Sequence, residues 1–301
     1  MARKKQTNYK PYIIGGAIIL LLIIIAVTAT AVGRWQFSNQ IESELDKLKA
    51  QNEININKNR TNVLNANNNI ISTADLKDLA LPVKKWLQNS GVIGKNKIRA
   101  VKVKQSGLMK LSPEQNDWYQ PAAKQYITVS EPGFLWQVDL AMMPVVTTKG
   151  RDFFYQGNAS MKIKLAGLLP VVDQKANAKI NESALHRFLL ELPWYPTAAL
   201  NDYLEWQEID SRTARATINY QGVKASADFN FDQEGNLLST EAMRYKESDQ
   251  NAKRRRCIGE LGGYRNIDGI KIPTEIDVSW YLDSGKFSWF KVKVDQISFE
   301  Y

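Results

Sequence analysis

The chain has 301 residues, of which 44% are apolar and 24% charged, enough for one ordinary globular core and one membrane segment. Its lone cysteine, Cys257, excludes an internal disulfide and any multi-cysteine metal site, and its lone histidine, His186, excludes a histidine-rich zinc or copper site. We therefore expect neither a metal nor a cofactor.

The net charge of +9 is unevenly placed along the chain. Residues 1–73 hold nine Lys and Arg against four Asp and Glu, and residues 74–301 hold 31 against 27. The surplus in the second part equals the single basic run at residues 253–256, which we predict to be a solvated loop. A nucleic-acid-binding domain would carry a broad basic face, so we exclude nucleic acid as a partner.

The N-terminal part of the chain has the pattern of a membrane anchor. Four basic residues lie in the tail of residues 1–11: Arg3, Lys4, Lys5 and Lys10. The following 22 residues, 12–33, carry no charge, and as a helix they would span about 33 Å, enough for a bilayer core of about 30 Å. By the positive-inside rule, the tail lies in the cytoplasm and everything from Arg34 onward lies outside the cell membrane. A signal peptide cleaved at residues 29–31 is the alternative, but signal peptides have apolar regions of only about 7–15 residues.

Two segments separate the predicted single-pass anchor from the folded domain. In residues 34–51, Ile41, Leu45 and Leu48 share one helical face, but one and a half heptads are too few for a coiled coil, so we predict a helical stalk. Residues 52–69 contain nine asparagines, which compete with helix formation by bonding their own backbone. We therefore predict a flexible linker at residues 52–72 and an extracytoplasmic domain at residues 73–301.

The domain has the pattern of an α+β fold with one large antiparallel sheet. Pro82 begins a short helix that Gly91 ends, and strand-like segments punctuated by turn residues follow up to residue 165. Strict apolar–polar alternation returns in residues 214–245 and 276–301, and it changes phase near Gln296, which predicts a β-bulge. In total we predict about ten to twelve strands in one curved sheet.

A helical segment interrupts the strands at residues 181–206. Four apolar residues fall on one helical stripe: Leu185, Phe188, Leu189 and Leu192. Asn181 is the predicted N-cap, Pro193 ends the helix, and Pro196 begins a second short helix through Leu200. We predict that the curved sheet folds over this central helix pair.

A ligand cleft is predicted between the helix and the sheet. Arg187 and Glu191 lie four residues apart, opposite the leucine stripe, and form an ion pair that lies either at the surface or at the cleft mouth. The alanines at inward strand positions leave room for a ligand or for close approach of the helix. The candidate cleft residues are Arg187, Glu191, Trp194, Ala225, Ala227, Phe229 and Trp280.

Three further charged residues, Arg151, Asp152 and Asp173, are embedded in apolar strings. Asp173 has the context of a general base, a metal carboxylate or, more commonly, a turn cap. No catalytic residue is predicted, because His186 has no second histidine and no nucleophile-elbow serine or cysteine to act with. We expect His186 to be structural.

Several strings occur in an order that resembles a bacterial membrane-associated family of unknown function. They are LPVKKWLQNSGVIG, AAKQYITV, PGFLW, KLAGLLPVVD, HRFLLELPWYPTAAL, and GIKIP followed by VSWYL. The resemblance covers residues 79–301 and implies a domain boundary but no activity; Lys85-Trp86 departs from the family's commoner Arg-Tyr. FNFDQEGNLLS with its neighbouring hairpins also resembles, at the level of fold, the half-barrel of Lol-type lipoprotein carriers.

Three functions from different classes fit this pattern. The leading hypothesis is a membrane-anchored domain that binds a hydrophobic or amphipathic, lipid-like ligand under its curved sheet. The second is an envelope enzyme that uses Arg187, Glu191, Asp173 and Arg151. The third is a scaffold that binds a protein through an open sheet edge.

Overall fold

The structure is a computed structural model that describes residues 10–61, 69–143 and 146–301. Most of the predicted cytoplasmic tail, and residues 62–68 of the predicted linker, lie outside these ranges. Three α-helices are present in the described ranges: α1 (Lys10–Thr61), α2 (Leu81–Asn89) and α3 (Ala178–Leu190). Short 3-10 turns occupy Thr73–Leu76, Leu192–Trp194 and Pro196–Leu200.

Helix α1 runs for 52 residues without interruption. Its segment Ile14–Ile54 is, in the described part of the chain, the one helix long and apolar enough to cross a membrane. The predicted anchor and stalk are therefore parts of a single helix. The helix also includes residues 52–61, which were assigned to the flexible linker. Asn52 is buried one turn after Leu48, and this packing outweighs the weak helix propensity of asparagine at that position.

The domain is built around one curved antiparallel sheet of thirteen strands. The described residues form fifteen strands in all: β1 (Ala100–Met109), β2 (Pro121–Thr128), β3 (Gly133–Met143), β4 (Val146–Tyr155), β5 (Asn158–Leu165), β6 (Leu169–Gln174), β7 (Leu204–Asp210), β8 (Thr213–Tyr220), β9 (Val223–Phe231), β10 (Leu237–Tyr245), β11 (Arg254–Gly262), β12 (Arg265–Ile267), β13 (Ile270–Ile272), β14 (Glu275–Leu282) and β15 (Gly285–Glu300). Strands β12 and β13 form a separate ribbon. The others follow the order β6-β5-β4-β3-β2-β1-β15-β14-β11-β10-β9-β8-β7.

The predicted α+β class and single curved sheet are confirmed, with thirteen strands in place of ten to twelve. The edge strand β6 was missed because none of its residues is buried, so it shows no alternation. The predicted bulge near Gln296 is confirmed: Gln296 lies opposite Lys104, but Val294 lies opposite Gln105, so Asp295 is the extra residue.

The basic run was wrongly predicted to be a loop, since residues 254–256 begin β11. Arg254 pairs with Glu182 at 2.7 Å, and Arg255 and Arg256 pair with carboxylates of neighbouring strands or turns. A run of charged residues within a strand has the sequence pattern of a loop, because it interrupts the alternation of apolar and polar residues.

The N-cap of helix α3 is Asn177, not Asn181 as predicted. The Asn177 side chain accepts hydrogen bonds from the backbone N–H groups of Lys179 (2.9 Å) and Ile180 (3.0 Å). Asn181 instead accepts a hydrogen bond from the backbone N–H of Ala159 on β5. The helix ends before Pro193 as predicted, and the apolar stripe is completely buried: Leu185, Phe188, Leu189 and Leu192.

The two faces of the sheet carry different helices. On the inner, concave face, α3 packs against β9 and β10 on one arm of the sheet and contacts β4 and β5 on the other. Helix α3 therefore crosses the inside of the curve above the middle strands β11, β14 and β15. On the outer face, Phe37, Ile41 and Leu48 of α1 are buried against Tyr126 and Leu135. The segment predicted to be a stalk is thus packed along the sheet.

Candidate functional site

A cavity of about 360 Å³ lies between α3 and the middle strands of the inner face. The sheet contributes Ile276, Val278 and Val292, and α3 contributes Ile180 and Ala184. The volume falls in the range of about 300–1,000 Å³ that is typical of ligand pockets. We refer to this cavity as the cleft.

Arg187 of α3 forms the centre of a charged group on the cleft wall. Its Nη1 lies 2.8 Å from Asp152 Oδ2, and its Nε lies 2.8 Å from Glu191 Oε1. The guanidinium also lies over the rings of Trp136 (4.8 Å) and Phe134 (5.0 Å). Burial opposes the charge on Arg187, but the carboxylates of Glu191 and Asp152 outweigh it and raise its pKa. Burial raises the pKa of Asp152, against the opposing effect of Arg187.

A chain of buried amides extends this group across the sheet. Gln125 Nε2 donates to Glu191 Oε2 at 2.7 Å, and Gln105 Nε2 donates to Gln125 Oε1 at 3.3 Å. Trp136 Nε1 completes the chain by donating to Gln105 Oε1 at 2.9 Å. Both glutamines were missed from the sequence. The available signal was their position, because Gln105 continues the buried face of Val101 and Val103 and a buried amide needs partners.

At another part of the cleft, Arg244 lies beside Trp280 and Cys257. Its Nη2 and Nε donate to Ser183 Oγ at 3.0 and 3.3 Å, and its guanidinium lies 5.3 Å from the Trp280 ring centre. Burial lowers the pKa of Arg244, and burial raises the pKa of the Cys257 thiol. Arg244 was also missed, although it follows Thr240 and Ala242 on the inward face of β10.

Five predicted site residues meet at the cleft. Arg187, Glu191, Trp194, Trp280 and Asp152 all line it. Trp194 is held in place by a 3.2 Å hydrogen bond from its Nε1 to the carbonyl oxygen of Pro273. The structure therefore places the predicted Arg187–Glu191 pair at the cleft.

Ala225, Ala227 and Phe229 do not line the cleft. The two alanines are buried under α3 and border a separate, shallower depression beside His186. Small side chains on β9 allow α3 to approach the sheet closely, which was the alternative interpretation of these positions. Phe229 is fully buried in the core, with its ring 5.0 Å from that of Trp206.

Arg151 and Asp173 also lie away from the cleft. Arg151 points to the outer face and pairs with Glu44 of α1 at 2.6 Å. Asp173 lies on β6, not in a turn, and its Oδ2 is 3.4 Å from Lys162 Nζ at the sheet edge. His186 is buried, with Nδ1 3.0 Å from the Glu182 carbonyl oxygen, and burial together with Arg244 lowers its pKa to about 4. His186 is thus buried and uncharged at neutral pH, which is consistent with the structural role expected from the sequence.

No group of three or more His, Cys, Asp and Glu residues in the described ranges has the geometry to hold a metal ion. The lining of the cleft instead combines apolar walls with two arginines, two lysines, three carboxylates and side-chain amides, among them that of Gln105.

Comparison with other proteins places the domain in a family. No curated protein matches the chain. Among solved structures, a LolA superfamily protein from Nitrosomonas europaea is similar, with 11% identity and a TM-score of 0.42 over 74% of this chain and 95% of that one. A family model described as "Family of unknown function (DUF6920)" matches residues 77–299, close to the boundary of residues 79–301 expected from the resemblance. The chain belongs to this family of unknown function.

Proposed function

We propose that the chain is a membrane-anchored binding protein whose cleft holds a hydrophobic or amphipathic, lipid-like ligand. The observation that carries this proposal is the cleft itself, about 360 Å³ of unfilled space between α3 and the middle strands of the sheet. Protein interiors are normally close-packed, so a space of this size with mainly apolar walls is typical of a ligand site.

The residues of the enzyme alternative do not share one site. Arg151 faces α1 on the outer side of the sheet, and Asp173 lies at the edge. Arg187 and Glu191 are at the cleft but bind each other, and Arg187 also binds Asp152. Carboxylates that are already paired with Arg187 are not free to exchange protons with a ligand, which favours binding over catalysis.

The anchor belongs to the same proposal. Residues 12–33 cross the cell membrane, the basic tail lies in the cytoplasm and the domain lies outside. A reporter enzyme fused after Tyr301 tests this orientation, and we expect activity from a reporter that works only outside the cytoplasm. Mass spectrometry of the purified chain should find an intact N-terminus; an N-terminus at Val32 would mean that the segment is a cleaved signal peptide.

The cleft is tested by filling it. Ala184 lines the cavity from α3, so Ala184→Phe should occupy the space. With N-phenyl-1-naphthylamine, a neutral apolar dye, we expect wild-type protein to enhance dye fluorescence and Ala184→Phe to weaken binding about tenfold, a change of about 1.4 kcal/mol. Ala122→Phe, at an exposed position of β2, is the matched control.

Lipids extracted from the purified wild-type chain and from Ala184→Phe, analysed by mass spectrometry, give an independent measurement. The proposal fails if folded Ala184→Phe binds dye and lipid as the wild type does, because the ligand would then lie elsewhere.

A further inference from the structure

The two arginines of the cleft are unequally supplied with counter-ions. Arg187 takes both nearby carboxylates, with 2.8 Å contacts to Asp152 and to Glu191. Arg244 has no carboxylate within 4.0 Å among the residues that the structure describes; its side-chain partners are the hydroxyl oxygen of Ser183 and the thiol of Cys257. Lys246, also at the cleft, is paired with Glu247 at 2.7 Å.

This arrangement leaves a half-buried cation with unused donors. A guanidinium carries five N–H donors; Ser183 Oγ accepts from two nitrogens of Arg244, and the Cys257 sulfur is a further, weak acceptor. The partly buried charge has a desolvation cost that a hydroxyl and a thiol offset only in part. Since Arg244 lines the cleft, an acceptor on a ligand in the cleft can reach its remaining donors.

The surroundings of Arg244 also orient it. The Trp280 ring lies 5.3 Å from the guanidinium, and Ser183 fixes one edge of the guanidinium plane from α3. A planar guanidinium held at one edge presents its other edge for two parallel hydrogen bonds, the geometry that carboxylate and phosphate oxygens accept.

We propose that Arg244 binds the anionic head group of an amphipathic ligand, with the hydrocarbon part along Ile276, Val278 and Val292. This inference rests on the proposed function and names the class of ligand: a hydrocarbon chain that ends in an oxyanion, either a carboxylate or a phosphate. Arg187 does not fill this role, because Asp152 and Glu191 already occupy it.

The test compares a charged probe with its neutral counterpart. The full-length chain, kept soluble in an amphipathic polymer, is titrated with cis-parinaric acid and with its methyl ester, which share one polyene chain. We expect the acid to bind at least about tenfold more tightly than the ester, as a charge-assisted bidentate contact implies. Arg244→Gln should remove this preference while leaving the affinity for the ester unchanged.

Arg256→Gln is the matched control, because Arg256 lies on the neighbouring strand β11, pairs with Glu241 and does not line the cleft. The variant Arg256→Gln also removes one positive charge, but it should keep the preference for cis-parinaric acid over its methyl ester. Competition between bound cis-parinaric acid and either hexadecyl phosphate or palmitate separates the two oxyanions. If hexadecyl phosphate displaces the probe and palmitate does not, the site is assigned to phosphate.

Two outcomes overturn the inference and leave the proposed function intact: equal binding of acid and ester by the wild type, or an undiminished preference in Arg244→Gln. The comparison of acid and ester on the wild type needs no variant, so it tests the inference even if Arg244→Gln does not fold. If neither probe nor the neutral dye binds the wild type, the proposed function itself has failed.

A second inference comes from the hairpin of β5 and β6, which meets α1 where the uncharged segment ends. The turn at Ala166 and Gly167 packs directly on Gly33 and Arg34. A Cβ atom on Gly167 would lie 2.3 Å from Arg34 Cγ, so only glycine permits this approach. Arg34 Nη2 also donates to Thr147 Oγ1 at 3.2 Å. The hairpin tip is therefore held at the level of residues 33–34.

The side chains beside this turn are apolar and exposed. Leu168, Leu169 and Val171 are 40%, 60% and 58% exposed. We propose that this tip enters the interfacial layer of the membrane that α1 crosses. Its apolar side chains are continuous with the anchor, and exposed apolar side chains beside a membrane-spanning helix bury their surface at the boundary between head groups and acyl chains.

Depth-dependent quenching tests the position of the tip. Cys257→Ala removes the one native thiol, and Leu169→Cys then carries an NBD label in full-length protein reconstituted into nanodiscs that contain doxyl-labelled lipids. We expect stronger quenching at position 169 than at Leu238→Cys, an equally apolar and 50% exposed position on β10. Equal quenching at the two positions overturns the proposal. Val171→Cys repeats the measurement if Leu169→Cys does not fold.

Discussion

Arg151 and Asp152 are consecutive residues of β4, yet they bind different helices on opposite faces of the sheet. Arg151 binds Glu44 of α1 on the outer face, and Asp152 binds Arg187 of α3 on the inner face. Successive side chains of a strand point to opposite faces, so a single strand connects both helical layers.

The two ion pairs differ in their surroundings. The outer pair is enclosed: the Arg151 side chain is 3% exposed, and Arg151 Nε and Glu44 Oε2 have no hydrogen-bond partner. The inner pair borders the cleft and continues into the amide chain that begins at Gln125. The same chemistry thus attaches a helix on one face and forms part of the cleft wall on the other.

The largest expected effect concerns the inner face. Phe188 is completely buried under the sheet, and Phe188→Ala should lower the free energy of unfolding of the whole domain by about 3–5 kcal/mol, since it removes contacts and leaves a cavity. Urea denaturation followed by circular dichroism measures the change. The exposed residue Leu238 provides the control, because Leu238→Ala should change stability by less than about 0.5 kcal/mol.

On the outer face, Glu44→Leu should release α1 from the sheet without unfolding the domain. Removing one partner leaves Arg151 buried without its counter-ion, which costs about 3 kcal/mol. Hydrogen exchange should increase in residues 34–52 of α1 and remain unchanged in α3. The double variant Glu44→Leu/Arg151→Met should restore protection of α1. If Glu44→Leu instead lowers the unfolding midpoint as much as Phe188→Ala does, the two faces are one cooperative unit and the comparison fails.

His186 makes the inner face sensitive to pH. The pKa of His186 is about 4 in the folded protein, against 6.5 for an ordinary histidine in the unfolded chain, so the unfolded chain binds the proton more tightly. The neutral His186 therefore contributes its full share of the unfolding free energy above pH 6.5, and this contribution is lost as the pH falls from about 6.5 to about 4. Between pH 7 and pH 5 the loss amounts to about 2 kcal/mol. Glu182, Arg244 and Arg254 are the charged groups that face the imidazole.

His186→Gln isolates this contribution from the carboxylates that titrate in the same range. The difference in unfolding free energy between the wild type and His186→Gln, measured from pH 7 to pH 4, should show the loss. A difference that does not vary with pH would mean that His186 titrates normally.

The smallest effect is expected at the sheet edge, which belongs to neither helical layer. Asp173 and Lys162 are 3.4 Å apart and partly exposed, so Asp173→Asn should cost less than about 1 kcal/mol. Dye binding in the cleft should be unchanged. A loss of binding in Asp173→Asn, with normal stability, would mean that Asp173 contacts the ligand, which its position at the sheet edge does not indicate.

Sequence patterns predicted the features that depend on local periodicity. The leucine stripe of α3 repeats at 3.6 residues, Pro193 ends the helix, and the change of phase near Gln296 marks the bulge. The Arg187–Glu191 pair was predictable for the same reason, because residues four apart share a helical face.

The features that depend on distant contacts were not predictable in this way. The face of α1 with Ile41 and Leu48 was recognised, but its partner surface on the sheet was not. A signal existed: Phe134, Leu135 and Trp136 are apolar in succession, and a strand that is apolar on both sides is covered on both faces. Ala225 and Ala227 are compatible both with a cleft and with a closely packed helix. The sequence gives the size of each side chain, but it does not show whether a helix or empty space lies opposite.

Under the proposed function, the uninterrupted course of α1 also determines how the cleft searches for its ligand. From Gly33 to Asn52 the helix rises about 28 Å, and the domain is fastened to it along this length by the turn at Gly167 and by Arg151. On a flexible linker the cleft would sample a large volume away from its anchor. Fixed to a helix that spans the membrane, as we propose, it would instead diffuse laterally with that helix and encounter only molecules that lie in the membrane or within a few tens of ångströms of its surface. For a ligand that partitions into lipid, the search is thereby reduced from three dimensions to two.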